Sequence, residues 1–252
     1  MSTAYWNRQP CNIHHSKHPP GSIEAFVETA GRRYFVEPHI PRFARFDEWY
    51  GKRVLDFGCG IGTDAIMFAQ RGAKVTAVDT SEVSLDIAAS RATALGLDID
   101  FRTYIPIDYP VDLIWAYGSI HHTAEPSTTV EALYNALAVG GHIRAMVYNR
   151  YSYKNLRALG TAKLRHIDVC GSINAEAQEN CPIVHFYNTE SARTLFTDAG
   201  FHVLTVSKRH IFPWDVEAYR EGRFVLSPDL EGVDLAALAM DLGQHLLIEA
   251  YK

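Results

Sequence analysis

Short apolar runs recur along the chain at Arg53–Phe57, Lys74–Val78, Ile99–Tyr104, Val111–Tyr117, His142–Tyr148, Phe201–Ser207 and His245–Tyr251, and each reads as a strand. Between them the apolar positions follow a helical interval: Ala65, Ile66, Phe68 and Ala69 after the first run, then Glu82 to Leu95 stopped by Gly96. Val130 to Leu137 is closed by Gly140 and Gly141, and Thr189 to Ala199 by Gly200. Strands alternating with helices between the first five predict an α/β fold built on a doubly wound parallel sheet. Ahead of the first strand, Ile23, Phe26, Val27 and Ala30 share a helical face, Pro38 and Pro41 interrupt the segment Tyr34–Ile40, and a short helix covers Phe43–Trp49. Residues 1–22 show no period, because Pro10, Pro19, Pro20 and Gly21 break it. Residues 149–186 and 208–241 also leave the alternation and read as insertions after strands five and six.

Composition narrows the picture. A chain of 252 residues with 47% hydrophobic content suits one core, residues 50–252, preceded by a lid and helices over residues 1–49. A net charge of −5 argues against a general binder of nucleic acid or anionic membranes, which needs a basic surface. No apolar run approaches the ~18 residues of a membrane span, and the first residues lack a signal-peptide core, so a cytoplasmic protein is expected. Cys11, Cys59, Cys170 and Cys181 form no C-x-x-C pair, so no disulfide framework is expected. His14, His15 and His18 crowd together without the spacing or acidic neighbours of a metal site, and no metal is expected.

The first strand feeds a turn, Asp56-Phe57-Gly58-Cys59-Gly60-Ile61-Gly62, with glycine at every second position, and a helix follows. Glycine permits unusual dihedrals and close approach of a ligand, and a helix start offers unpaired N–H groups. Asp79 ends the second strand 17 residues beyond Gly62, near the ~20-residue offset at which a carboxylate meets ribose hydroxyls, and Thr80 and Ser81 open the next helix. The third glycine comes one residue earlier than in the dinucleotide fingerprint G-x-G-x-x-G. The pattern Asp-x-Gly-x-Gly-x-Gly resembles the first motif of class I S-adenosylmethionine-dependent methyltransferases, and the segment Gly118-Ser119-Ile120-His121-His122 resembles a variant common among small-molecule members. The likeness covers roughly residues 50–207 and the last ten, and within the superfamily it is nearest the ubiquinone-biosynthesis O-methyltransferase type.

That resemblance implies a Rossmann-like seven-stranded sheet with an antiparallel last strand, S-adenosylmethionine as cofactor and S-adenosylhomocysteine as its product. It implies cofactor contacts from Asp56, Gly58, Cys59, Gly60, Gly62, Asp79, Thr80, Ser81 and Gly118. The acidic residue that often receives the adenine amino group is missing after the third strand, and backbone groups and the faces of Tyr104 or Ile105 are the candidates to meet the adenine instead. At the end of the fourth strand His121, ahead of His122, is the candidate base for an oxygen or nitrogen acceptor, the other histidine packing. Aromatic and histidine side chains of the lid and insertions, Tyr5, Trp6, His15, Tyr34, His39, Tyr151 and Trp214, are candidates to enclose a small-molecule acceptor, and each taken singly also suits ordinary packing. Oligomeric state has no signature in the sequence. Two readings stand beside methyl transfer: a non-catalytic module binding S-adenosylmethionine or S-adenosylhomocysteine, and an NAD-dependent oxidoreductase. Arsenite methylation would need a thiol set, for which Cys170 and Cys181 carry no spacing signature.

Overall fold

The computed structural model describes residues 2–106, 109–159 and 181–252. Its eight-stranded sheet runs in the order β3-β2-β1-β4-β5-β8-β7. The strands are β1 (Arg53–Phe57), β2 (Lys74–Val78), β3 (Ile99–Arg102), β4 (Val111–Tyr117), β5 (Leu137–Asn149), β6 (Phe186–Tyr187), β7 (His202–Arg209) and β8 (His245–Tyr251). β1 to β5 pair in parallel, the two-residue β6 pairs with the end of β5, and β8 lies antiparallel between β5 and β7. All seven strands read from the sequence are present, with the last one reversed as expected.

Strand alternation distributes the core to the two faces of the sheet. In β4, Leu113, Trp115 and Tyr117 enter one apolar cluster while Ile114 and Ala116 enter the other. On the first face lie Ala65 and Phe68 of helix α4 (Thr63–Gln70), with Ile40 and Ala44 of α3 (His39–Ala44) and the short turn Phe46–Trp49. The opposite face is covered by Val130 and Leu133 of α6 (Pro126–Ala136) and by Ala192 and Phe196 of α8 (Thr189–Asp198). Helix α5 (Glu82–Ala94) begins with Ser81, whose side chain accepts the Ser84 N–H, and α8 begins with an Asn188–Ser191 capping box.

Several boundaries differ from the sequence reading. Residues 1–22 are not wholly irregular: Ser2–Arg8 forms α1, whose Tyr5 is buried in the first core cluster. A seven-residue helix docked by one aromatic is too short to show a period of its own. Among the described residues no helix lies between β3 and β4. β5 begins at Leu137, directly where α6 stops, because Leu137 already pairs with Val111. α2 (Ile23–Val36) leads to α3, α7 (Tyr153–Leu159) follows β5, and α9 (Val216–Arg220) and α10 (Leu235–Leu242) stand between β7 and β8. Lys163, Arg165, Cys170 and the loop Asn174–Asn180 lie outside the described residues.

One buried side chain ties the N-terminal segment to the glycine turn. Arg91 of α5 donates to the carbonyls of Pro20 and Ile61 at 2.6 and 3.2 Å and to the Thr29 hydroxyl at 3.4 Å. Tyr5 enters the first core cluster and the Trp6 ring meets His122 edge to face at 5.3 Å, so α1 is held by packing as well.

Candidate active site

A cavity of about 590 Å³ opens at the C-terminal ends of β1, β2 and β4, the crevice in which open α/β sheets bind ligands. Its floor is the turn after β1. The N–H groups of Gly58 and Cys59 donate to the Val78 carbonyl at 2.7 and 3.0 Å, stitching the turn to the end of β2. Gly58 and Gly60 hold φ of +73° and +53°, a region that disfavours side chains. A Cβ on Gly58 would lie 2.3 Å from that of Ser119, whereas one on Gly60 would meet nothing within 4 Å, since it faces the cavity. Gly62 differs: its missing Cβ makes room for Ala88 of α5, and it does not line the cavity.

Two carboxylates sit on this floor. Asp79 accepts the Gly60 N–H and the Ser81 N–H at 2.8 Å each. Burial raises its pKa, and hydrogen bonds from the Ser81, Gly60 and Thr80 backbone oppose that rise. Asp56 is buried more completely, and its Oδ2 has no hydrogen-bond partner among the described residues. Burial first, and the nearby Asp64 second, push its pKa well above the carboxylate range. Thr80 lines the cavity, while Ser81 is fully buried as a helix cap. Tyr104 and Ile105 form one wall with Thr103, and Tyr104 is 61% exposed there.

Arg33 and Asp64 also line the cavity, and neither was singled out from the sequence. The Asp64 carboxylate accepts from Arg33 (2.8 and 3.3 Å), from the Tyr34 hydroxyl (2.8 Å) and from Trp115 Nε1 (3.0 Å). The pair is 31 residues apart, and no local spacing joins a helix in the lid to the residue after a glycine turn. The one available signal was an acid inside the first turn of α4, where the helix dipole favours it.

The two histidines after β4 part company. His121 is fully buried and does not line the cavity; its ring packs 4.3 Å from His122 and 4.0 Å from Tyr148. Burial, then His122 and His185, lower its pKa well below the usual value. His122 does line the cavity, with its ring edge there and its Nε2 buried just beneath the wall. Its Nδ1 is 2.8 Å from the Ile183 carbonyl and 3.5 Å from Cys181 Sγ. A carbonyl only accepts, so Nδ1 carries the proton and a neutral His122 keeps its basic lone pair on Nε2. Ile183 and Cys181, some sixty residues on, could not be matched to His122 from the sequence. Cys11 and Cys59 both reach the cavity.

Of the side chains expected around an acceptor, Trp6 lines the cavity, edge-on to His122 at 5.3 Å. The others do not. Tyr5 is in the core and Tyr34 serves Asp64. His15 lies against Tyr219, with its pKa lowered to about 3 by burial and by Arg32 and Arg33. His39 Nε2 is 2.7 Å from the Tyr117 hydroxyl. Tyr151 is 39% exposed, and Trp214 stacks on Phe35. Among the described residues, the insertions therefore build less of the cavity wall than aromatic content suggested, because rings such as Trp214, Tyr219 and Phe224 pack on one another. Gly118 and Tyr117 complete the wall at the end of β4.

Comparison with known proteins gives this arrangement its relatives. A family profile described as a methyltransferase domain matches residues 13–206. The ubiquinone biosynthesis O-methyltransferase of Idiomarina loihiensis is 34% identical over 124 residues, covering 46% of this chain and 48% of that protein. Its namesake from Pseudomonas entomophila is 32% identical over 106 residues, covering 40% and 46%. The chain thus spans about half the length of the curated relatives it matches. Among solved structures, magnesium protoporphyrin IX methyltransferase from Synechocystis PCC 6803 with bound S-adenosylmethionine superimposes at a TM-score of 0.56, 15% identical, covering 99% of this chain and 90% of that one. The [4+2]-cyclase SpnF superimposes at 0.60, 22% identical, covering 99% and 92%. At such identities these structures speak for the fold. The profile reaches further, from the N-terminal segment through the glycine turn and both histidines to β7, and on that match the chain belongs to the S-adenosylmethionine-dependent methyltransferase family.

Proposed function

We propose that this chain transfers a methyl group from S-adenosylmethionine to an oxygen or nitrogen of a small-molecule acceptor. The observation that carries the reading is one cavity joining the glycine turn and Asp79 to His122. The donor set fits the cofactor. The Asp79 carboxylate is held by backbone N–H groups on both oxygens and retains acceptor capacity for the ribose hydroxyls. Gly60 presents bare backbone to open space, and Tyr104 and Ile105 offer apolar surface to an adenine. Gly118 leaves the methyl-transfer end clear. When bound, the cofactor supplies an electrophilic methyl on a positively charged sulfur.

The protein's own share is positioning, exclusion of water and removal of a proton. His122 is the base for an acceptor hydroxyl or amine, with Ile183 holding the ring in the tautomer that leaves Nε2 basic and the acceptor reaching that buried atom as it seats against the wall. Trp6 and Thr3 of α1 close the cavity from the lid side. The curated relatives are named for an O-methyl transfer, which favours an oxygen acceptor here. Among the described residues no helix is long and apolar enough to cross a membrane, in keeping with a cytoplasmic enzyme acting on a dissolved acceptor.

Labelled S-adenosylmethionine incubated with a panel of phenols, catechols and amines tests the proposal. Label is expected on at least one acceptor, with turnover in His122→Ala reduced by about 10²–10⁴. Tight cofactor binding with no labelled product across the panel would favour a binding module.

A further inference from the structure

Outside the cavity, behind Tyr117, four donor side chains from distant parts of the chain converge. Glu37 ends α2, His39 opens α3, His210 follows β7 and His245 begins β8. None of them lines the cavity. Donor atoms of Glu37, His210 and His245 all lie within 4.8 Å of one another. Glu37 Oε1 is 3.5 Å from His245 Nε2, and the His210 and His245 rings stack at 4.8 Å.

Packing alone accounts poorly for this group. His210 adopts φ of +68°, one of three non-glycine residues with positive φ among those described, so the backbone bears strain where it delivers this imidazole. The His210 side chain is nevertheless buried, at 8% exposure, beside the His39 and His245 rings. The ring is packed only by the other imidazoles of the cluster, His245 at 4.8 Å and His39 at 5.4 Å between centroids.

We propose that Glu37, His210 and His245 bind a single divalent transition-metal ion of the zinc type. Two imidazoles and one carboxylate are an established donor set for such ions. Metal–ligand bonds of about 2.0–2.2 Å set donors roughly 3–3.5 Å apart around a tetrahedral ion, so the side chains close by about 1 Å, a rotamer adjustment.

The surrounding contacts supply the outer support that metal-binding histidines need. With Nε2 of His245 on the ion, its Nδ1–H donates to the Tyr117 oxygen at 3.0 Å, and the Tyr117 hydroxyl donates in turn to His39 Nε2 at 2.7 Å. Gln244, whose amide nitrogen is 3.2 Å from His245 Nε2, turns to offer Oε1, an atom without a hydrogen-bond partner among the described residues. Arg33 stands 3.9 Å from Glu37, but its charge is taken up by Asp64. The ion would fasten the lid helices to the β7–β8 edge and fix the Tyr117 ring that forms one cavity wall. This departs from the metal-free expectation, which considered only the histidines near the N-terminus. It does not depend on methyl transfer.

Chelator-treated protein titrated with Co²⁺ tests the site, read by visible ligand-field absorption and by displacement with Zn²⁺. One equivalent with the strong absorption of a four- or five-coordinate ion is expected, along with a rise in melting temperature. Glu37→Gln and His210→Gln should each weaken uptake at least tenfold while far-ultraviolet circular dichroism matches the parent. Absence of stoichiometric uptake by the parent protein would overturn the proposal. So would uptake retained in both variants, which would place the ion elsewhere, for instance on His14, His15 and His18.

Discussion

Asp79 is oriented by its own loop before any ligand arrives, since the Gly60 and Ser81 N–H groups fix both carboxylate oxygens. Replacing it by alanine removes ribose acceptors worth roughly 1.5–3 kcal/mol each and releases the turn as well. Calorimetry on Asp79→Ala should show S-adenosylmethionine binding weakened at least tenfold, and an unchanged affinity would remove Asp79 from the cofactor site. The histidines give a second residue-level prediction. His121→Phe, a swap within a buried aromatic cluster, should keep turnover within about tenfold of the parent, while His122→Ala loses two orders of magnitude or more. Steady-state kinetics on the two variants decides between them, and the reverse ranking would restore His121 as the base. The sequence displayed both histidines at the right place after β4. It could not distinguish them, because the distinction lies in Ile183 and Cys181, which face His122 only after the chain has returned from far downstream.

At the level of elements, the legible parts were those whose signals are local. Strands with buried runs, glycine stops and the Ser81 cap were all readable, because each depends on neighbours a few residues away. α1 was not, since its burial comes from Tyr5 meeting a core assembled by other elements, and neither was β6, which exists only as an addition to the end of β5. The segment 2–22 yields a pH prediction. His15 is held neutral in the folded lid, with a pKa of about 3 against an ordinary 6.5. A depressed folded pKa means that its stabilising contribution is present above about 6.5 and lost as pH falls from there toward 3, at up to about 1.4 kcal/mol per pH unit. Hydrogen exchange in residues 2–22 should therefore quicken on acidification below pH 6.5 before the sheet is affected, and His15→Gln should flatten that dependence. A second expectation is that cofactor slows proteolysis of this segment, because Trp6, Cys11 and Asn12 line the cavity. Identical cleavage with and without cofactor would mean that the arm does not close on the ligand.

For the whole molecule, the charge of −5 and the partly enclosed cavity point to a small acceptor over a polyanion. Binding to mixed RNA and DNA at low salt should be weaker than micromolar, and tight, salt-sensitive binding would reverse that assignment. The architecture was readable because a doubly wound sheet repeats one local rule, whereas the cavity wall was only partly readable because the lid and insertions pair their aromatics with each other. The position of β8 has a consequence for how the protein is made. β8 follows β5 and β7 in the chain yet sits between them, so β7 emerges more than thirty residues before the partner that joins it to the sheet. Until then β5 and β7 both expose unpaired edges, and the nascent chain is a substrate for strand-capturing chaperones. Released chains truncated just before His245 should hold a protected β1–β4 core and an unprotected β7, and chains that include His245–Tyr251 should protect both edges at once.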